Sequence, residues 1–388
     1  MNCLTPYPIT PIGNFMGFVL ALIPLVSQIR KLSAAVWGYA IWIAIYCFIE
    51  FVNTIIWHDN VNIVAPVWCD IGIKLQLGAS VGTRVCAFVI CVHLYKVTRL
   101  RGSIETTASQ RRKTLIYELL AIIGIPFLVM ALFIIIQPIR FQILEEAGCE
   151  LYDYSFVGYI IIYGPELLPS LGCVVLAPLI LRTFMRHRKE MNEYLSSDRE
   201  FVHNKYHRLM LIACLDTLVN LPVLIIDIVT NIVAGEDNSL NYPYVSWESV
   251  HNGAGGNLPG LSLSSILQLP ASEWNTGGWN VFNVKWNEWL FVFHALVFFS
   301  VFGTTPEMRH YYRSVFWFIP ERCGYERRRP TQEETVSDFA FTSNPVHVSG
   351  ILRSGETGSI PDSQSLTEQS IGSARYESRS DEKIGSSV

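Results

Sequence analysis

Charge is scarce in this sequence: Asp, Glu, Lys and Arg make up 16% of its 388 residues, while 50% are apolar. Soluble domains carry about 25% charged residues, so the composition excludes an ordinary soluble domain and belongs to a chain that crosses a membrane many times. Catalytic signatures are missing as well. There is no Gly-x-Ser-x-Gly, no His-Glu-x-x-His and no phosphate-binding glycine loop, which removes the motif-bearing hydrolases, zinc proteases and nucleotide enzymes. The stretch HNGAGGN at 251–257 matches none of them. Nine cysteines form no C-x-x-C and no His-rich spacing, so neither a metal nor a cofactor is expected. Cys47, Cys86, Cys91, Cys173 and Cys214 lie inside apolar runs and read as small core residues. The lack of any N-x-[ST] sequon argues against N-glycosylation. The first residues, MNCLTPYPITP, carry no basic region or small-residue cleavage site, so the first span is expected to do the targeting. No repeat and no matched pair of broken helices is visible, which weighs against many transporter folds.

What is present is a series of seven apolar runs, at 12–29, 36–56, 66–95, 115–137, 156–181, 209–232 and 286–302. About 20 apolar residues span the hydrocarbon core as a helix. The last run, WNEWLFVFHALVFFSVF, is the shortest; Trp286 and Trp289 at its start suit an interfacial aromatic belt. The fold expected is therefore all-α: a seven-transmembrane helix bundle. Residues 1–11 form a short outer N-terminus and 12–302 the bundle. A third outer segment over 234–283, rich in Gly, Asn, Ser and Pro, has no assignable structure and is expected to cover part of the outer mouth. Residues 303–330 read as an amphipathic basic segment on the membrane surface, and 331–388 as a disordered tail, poor in large apolar residues. Cys323 beside the basic cluster is a candidate for palmitoylation, with a plain thiol as the alternative; the ending GSSV carries no prenylation signal.

Lys and Arg set the orientation. With the N-terminus outside, the three inner loops hold fifteen of them, among them Arg99, Arg101, Lys205 and Arg208, against Arg140 and Lys285 outside. That bias puts the N-terminus outside and the tail within the cytoplasm. Cys69 and Cys149 then both face the oxidising side, where a disulfide can persist. Two unpaired thiols, or Cys3 as a competing partner, remain the alternatives.

The third run holds the charges that organise the rest. Asp70, Lys74, Leu77, Val81 and Arg84 step by four and three, so they share one helix face. A central charge on a lipid-exposed helix costs at least roughly 2.5–3.5 kcal/mol, so this face must meet other helices or water. Counting about 1.5 Å per residue, Glu50 and Lys74 reach the same depth, roughly 10–12 Å below the outer surface. Glu166, Asp227 and His294 fall in that layer too. Five ionisable groups from five helices fit either a polar cavity open to the outside or structural ion pairs, chiefly Glu50 with Lys74. Deeper, Arg84 is level with Asp216 and Asn220, a candidate latch between spans three and six. Pro222 one turn beyond is a candidate hinge, a static kink being the alternative. Span seven holds no Lys midway for a Schiff base, which excludes a light-driven pump.

The run PVWCDIGIKLQLGASVG (66–82) followed by CVHLYKVTR (91–99) resembles the span-three signature of fungal mating-pheromone receptors of the a-factor type. PLVSQIR (24–30), WGYAIWIAIYCFIEFVNTIIW (37–57) and the Leu221-Pro222 pair agree with it. The Asp-Arg-Tyr and Asn-Pro-x-x-Tyr motifs of rhodopsin-like receptors are replaced by His93-Leu94-Tyr95 and Gly303-Thr304-Thr305-Pro306. The resemblance implies a plasma-membrane receptor for a farnesylated peptide pheromone, coupled to a heterotrimeric G protein and not an enzyme. On that basis Glu50, Trp57, Trp68, Asp70, Lys74, Glu166, Asp227 and His294 are candidate ligand contacts. Arg84, Asp216, Asn220 and Pro222 are candidate switch residues, and Arg99, Arg101, Lys205 and Arg208 candidate G-protein contacts. The expected partners are the pheromone, the G protein and membrane lipids, with homodimerisation left open; nucleic acid is not expected. The competing class is a transporter or channel with Arg84, Asp216 and Glu118 along its path.

Overall fold

The computed structural model describes residues 6–28, 33–99, 108–152, 155–191, 208–212, 214–237, 243–252, 260–275 and 278–322. The runs become long helices. They are α1 (Ile9–Gln28), α2 (Ala34–Ile56), α3 (Pro66–Arg99) and α4, which joins Ala108–Leu119 through a π turn to Ile125–Leu132. Then come α5, a π turn followed by Gly164–Met191; α6, a π turn followed by Leu221–Asp237; α7 (Trp279–Phe302); and α8 (Pro306–Arg322). The first five contain stretches long and apolar enough to cross a membrane; in α6 the apolar stretch Leu218–Val233 is shorter. The seventh helix begins two turns before the apolar run that marks it, at Trp279 instead of Trp286. Its outer turns carry Asn283, Lys285, Asn287 and Glu288, which dilute its apolarity and hide its start from a hydropathy reading.

The three π turns share one cause. Leu120–Gly124, Tyr159–Tyr163 and Asp216–Asn220 each end two residues before a proline, namely Pro126, Pro165 and Pro222. A proline ring collides with the carbonyl four residues back and offers that carbonyl no N–H. Widening the preceding turn by one residue relieves the collision. The carbonyl of Ile122, four residues before Pro126, instead accepts from the Trp42 indole at 3.0 Å.

The core runs along α3, packed against α2 and α5, with α1 closing between α2 and α7. Backbones approach closely where side chains vanish: a Cβ on Gly82 would lie 2.5 Å from the Trp42 ring. Small residues permit such contacts between membrane helices.

The all-α expectation needs one correction. The outer side carries a three-stranded sheet ordered β2-β1-β3, from β1 (Phe141–Leu144), β2 (Gly148–Glu150) and β3 (Ile266–Leu269). The first two form an antiparallel hairpin, and β3 lies parallel to β1 with Phe141 opposite Ile266. So part of the third outer segment does have structure: it adds a strand to the second outer loop. Alternation in four residues, ILQL, is too short a signal to find from sequence. The hairpin is anchored by the Cys69–Cys149 disulfide, with Cα atoms 5.4 Å apart. Gly148 at φ +90° lets the chain pass Asn53, whose side chain an added Cβ would meet at 2.6 Å. Trp57, Cys69, Ile73, Phe141, Ile143 and Cys149 make a separate outer core. The expected disordered tail, 331–388, lies outside the described residues, as does Cys323.

Candidate functional site

Polar groups inside the bundle arrange in two layers. In the outer layer, α3 is tied to the second outer loop. Asp70 receives a fork from Arg140, Nε to Oδ1 at 2.9 Å and Nη2 to Oδ2 at 2.5 Å. These bonds hold the Arg140 pKa above its ordinary value. One turn deeper, Lys74 donates to Gln137 at 2.8 Å and lies 4.2 Å above the Phe133 ring. Glu50 on α2 is buried and accepts from Gln76 at 2.7 Å. The expected Glu50–Lys74 pair is therefore absent. The two residues reach the same depth, but Lys74 turns to α4 while Glu50 keeps to the α2–α3 seam.

Both tryptophans are largely structural. The Trp57 indole is fully buried against the disulfide cluster and donates to the Asn62 carbonyl at 2.8 Å, so it offers no free edge to a ligand. Trp68 is half-buried, donates to Asn53 at 2.9 Å and meets Phe48 edge-on.

The inner layer draws on five helices. Arg84 Nη1 lies 3.3 Å from Glu166 on α5, with both side chains buried, and also bonds Ser80 at 2.8 Å. Asn220 on α6 pairs with His294 Nε2 on α7 at 2.7 Å, while His294 Nδ1 faces the Tyr39 hydroxyl of α2 at 3.4 Å. Arg84 thus engages α5, and α6 bonds α7 through Asn220. The Asp216 side chain lies outside the described residues. Asp227, half-buried on α6, is within electrostatic reach of Glu166 and Arg84. Pro222 is exposed just past its π turn.

Three groups escaped the sequence reading. Lys285 contacts Glu146 and Glu288, each at 3.0 Å. Glu288, three residues on, would have been found had the seventh helix been extended backwards. Glu150 on β2 is pushed up to about 7, chiefly by burial and in part by the Asp227 charge. It lies in a polar loop, where no local pattern distinguishes it. Of the basic inner residues, Arg208 is half-buried at the start of its helix; Arg101, Lys205 and the Arg99 side chain lie outside the described residues.

A family model described as pheromone A receptor matches residues 9–324, nearly the whole bundle and α8. The chain belongs to the pheromone A receptor family. Relatives include the pheromone B alpha 3 receptor of Schizophyllum commune, 30% identical over 334 residues. That match covers 85% of this chain and 51% of the relative. Pheromone receptor 1 of Mycosarcoma maydis is 27% identical over 310 residues, covering 79% of this chain and 83% of the relative. The pheromone M-factor receptor of Schizosaccharomyces pombe is 22% identical over 232 residues, covering 57% and 62%. The chain spans about half the length of the Schizophyllum receptors it matches. It is a multi-pass membrane protein of this family, with the polar groups of its bundle arranged in two layers.

Proposed function

We propose that this chain is a plasma-membrane G-protein-coupled receptor with seven spans and its N-terminus outside. It binds a farnesylated peptide pheromone in the outer layer and passes that event to a heterotrimeric G protein by displacing the inner half of α6. The observation that carries the reading is the family match over residues 9–324 together with the way α6 is attached. Its outer end is bonded on two sides: Asn231 donates to Tyr163 at 2.7 Å and accepts from Tyr159 at 3.0 Å, and Asn283 donates to Thr230 at 2.7 Å. Halfway down it is held by Asn220 and His294. At that point the π turn Asp216–Asn220 and the Pro222 that follows it interrupt the regular ladder. A ligand touching Asp227 or the α7 groups biases the Asn220–His294 bond, and the inner segment moves as the bond yields. The fifteen inner Lys and Arg against two outer ones support the orientation, and they suit an acidic G-protein surface.

Expression in a receptor-deleted yeast, with a reporter and a panel of farnesylated peptides, tests the ligand class. Silence across the panel at normal surface level would reject it. Replacing Pro222 or Asp216 is expected to change basal signalling, and unchanged basal and ligand-driven output in both would reject the hinge. A transporter or channel instead predicts solute flux in liposomes without nucleotide exchange on a G protein.

A further inference from the structure

Where α2, α6 and α7 meet the outer sheet, carboxylates gather. Glu50 on α2 feels the charges of Glu150 on β2 and of Glu288 and Lys285 on α7, and Glu150 in turn feels Asp227 on α6. Acidic residues alone would say little, but Glu288 adds a second observation. It is 4% exposed, and neither of its carboxylate oxygens accepts a hydrogen bond. Oε2 has only the charge of Lys285 Nζ at 3.0 Å, in a geometry that makes no hydrogen bond. Lys285 is itself divided, since Glu146 lies 3.0 Å away on its other side. A buried charged acceptor without a donor is costly, and it marks a place prepared for a donor that arrives from elsewhere.

An approach exists on the same side chains. Exposure falls from 33% at Glu146 to 14% at Lys285 and 3% at Glu288, a graded path from the outer surface to the buried carboxylate. Tyr46 stacks on Phe291 with ring centroids 3.7 Å apart, close enough to the acidic groups to feel Glu50, Glu150 and Asp227. That aromatic pair sets apolar surface beside the acidic groups, and Lys285 retains Glu146 if Glu288 turns to a new partner.

The geometry points to a subsite for an organic cation, an ammonium or guanidinium carried on the peptide ligand, seated on the Glu288 carboxylate. The inference rests on the peptide-receptor reading for the identity of the carrier, and on the buried, unbonded Glu288 for the charge. A bare metal ion is a poorer occupant, because no three ligating groups converge for one among the described residues. An N–H cation needs only acceptors, and Glu288 supplies two that accept nothing.

The test uses the purified full chain in nanodiscs at pH 7.5, titrated with n-butylammonium chloride, with butanol and sodium chloride at matched concentrations as comparisons. Tryptophan fluorescence reports the thermal midpoint. Butylammonium should raise the midpoint and the comparisons should not. Glu288→Gln should weaken that response by about tenfold or more, the loss of one charge-assisted bond, while Glu248→Gln, at an exposed position, leaves it intact. Without added amine, Glu288→Gln should melt no lower than the parent, because it removes an unmet charged acceptor. The inference is overturned by an equal response to sodium chloride, by no response in the parent, by an unchanged response in Glu288→Gln, or by a Glu288→Gln chain that fails to fold. Amine binding with silence to every farnesylated peptide in yeast would sink the pheromone reading and leave the cation subsite standing.

Discussion

The Arg84–Glu166 pair offers the sharpest measurement on the bundle. Its side chains are 7% and 5% exposed and 3.3 Å apart, so neither ion has water to fall back on. Removing one partner of a buried pair leaves an uncompensated charge, at a cost of about 3–5 kcal/mol. Arg84 would keep its two bonds to Ser80, at 2.8 Å each, which places Glu166→Gln at the lower end, about 3 kcal/mol. At ~2 °C per kcal/mol for a large domain, the midpoint should fall by about 6 °C. Converting both residues, Arg84→Gln with Glu166→Gln, removes the stranded charge and lets two amides bond each other. The double variant should recover to within about 1 kcal/mol of the parent, as replaced buried pairs often do. Thermal unfolding of the four proteins in nanodiscs, followed by tryptophan fluorescence, closes the cycle. If the double variant melts as low as Glu166→Gln, or Glu166→Gln melts with the parent, the pair does not hold α3 to α5 by charge.

Three further outcomes follow from the same geometry. Glu150 ionises from 4.5 upward when unfolded but only at about 7 when folded, so the folded chain binds the extra proton between those values. Its contribution to stability therefore declines as pH rises through that window, by at most about 3 kcal/mol. Glu150→Gln should thus gain on the parent between pH 5 and pH 8 in thermal midpoint, and an equal difference at both would refute the burial argument. Gly82→Ala should cost about 1–3 kcal/mol by overpacking, because Trp42 is pinned by its bond to Ile122. Gly124→Ala, where a new Cβ meets nothing within 4 Å, should be neutral or better by the same thermal assay. Asn220→Ala strands His294 Nε2 and removes the mid-depth bond between α6 and α7, so basal nucleotide exchange on a G protein should rise; an unchanged basal rate at equal expression would contradict that role.

The helices were legible because lipid imposes a simple rule on the chain. Every backbone group must be satisfied within a helix, so apolar length alone marks five crossings. The stripe of Asp70, Lys74 and Arg84 was equally legible, since charge in such a run demands a protein neighbour. Which neighbour it demands was not. Glu50 and Lys74 have matching depth and opposite sign, yet α4 brings Gln137 and Phe133 to the lysine first. Depth fixes height along a helix but not its rotation, and rotation decides partners. The same gap hid the Arg84–Glu166 pair, since depth alone did not single out α5 as the neighbour of Arg84. The outer sheet escaped because its strands are three or four residues long and its third strand comes more than 110 residues after its first. Periodicity cannot see a pairing made at that separation.

The coupling between the layers turns on which bonds to α6 are replaceable. At its outer end Asn231 and Thr230 are met by Tyr163, Tyr159 and Asn283, three side chains on two helices, so losing one leaves the others in place. At mid-depth the described link is Asn220 to His294, and His294 is itself shared with Tyr39. A small rotation of α7 driven from Lys285 or Glu288, two turns above His294, would therefore be felt first at Asn220. That site sits at the end of a π turn, where the helix already carries an extra residue and the following proline donates nothing. On the proposed mechanism, motion entering there would need no ladder bond broken beyond those the proline has already removed, so it would leave the outer bonds of α6 to Tyr163, Tyr159 and Asn283 in place.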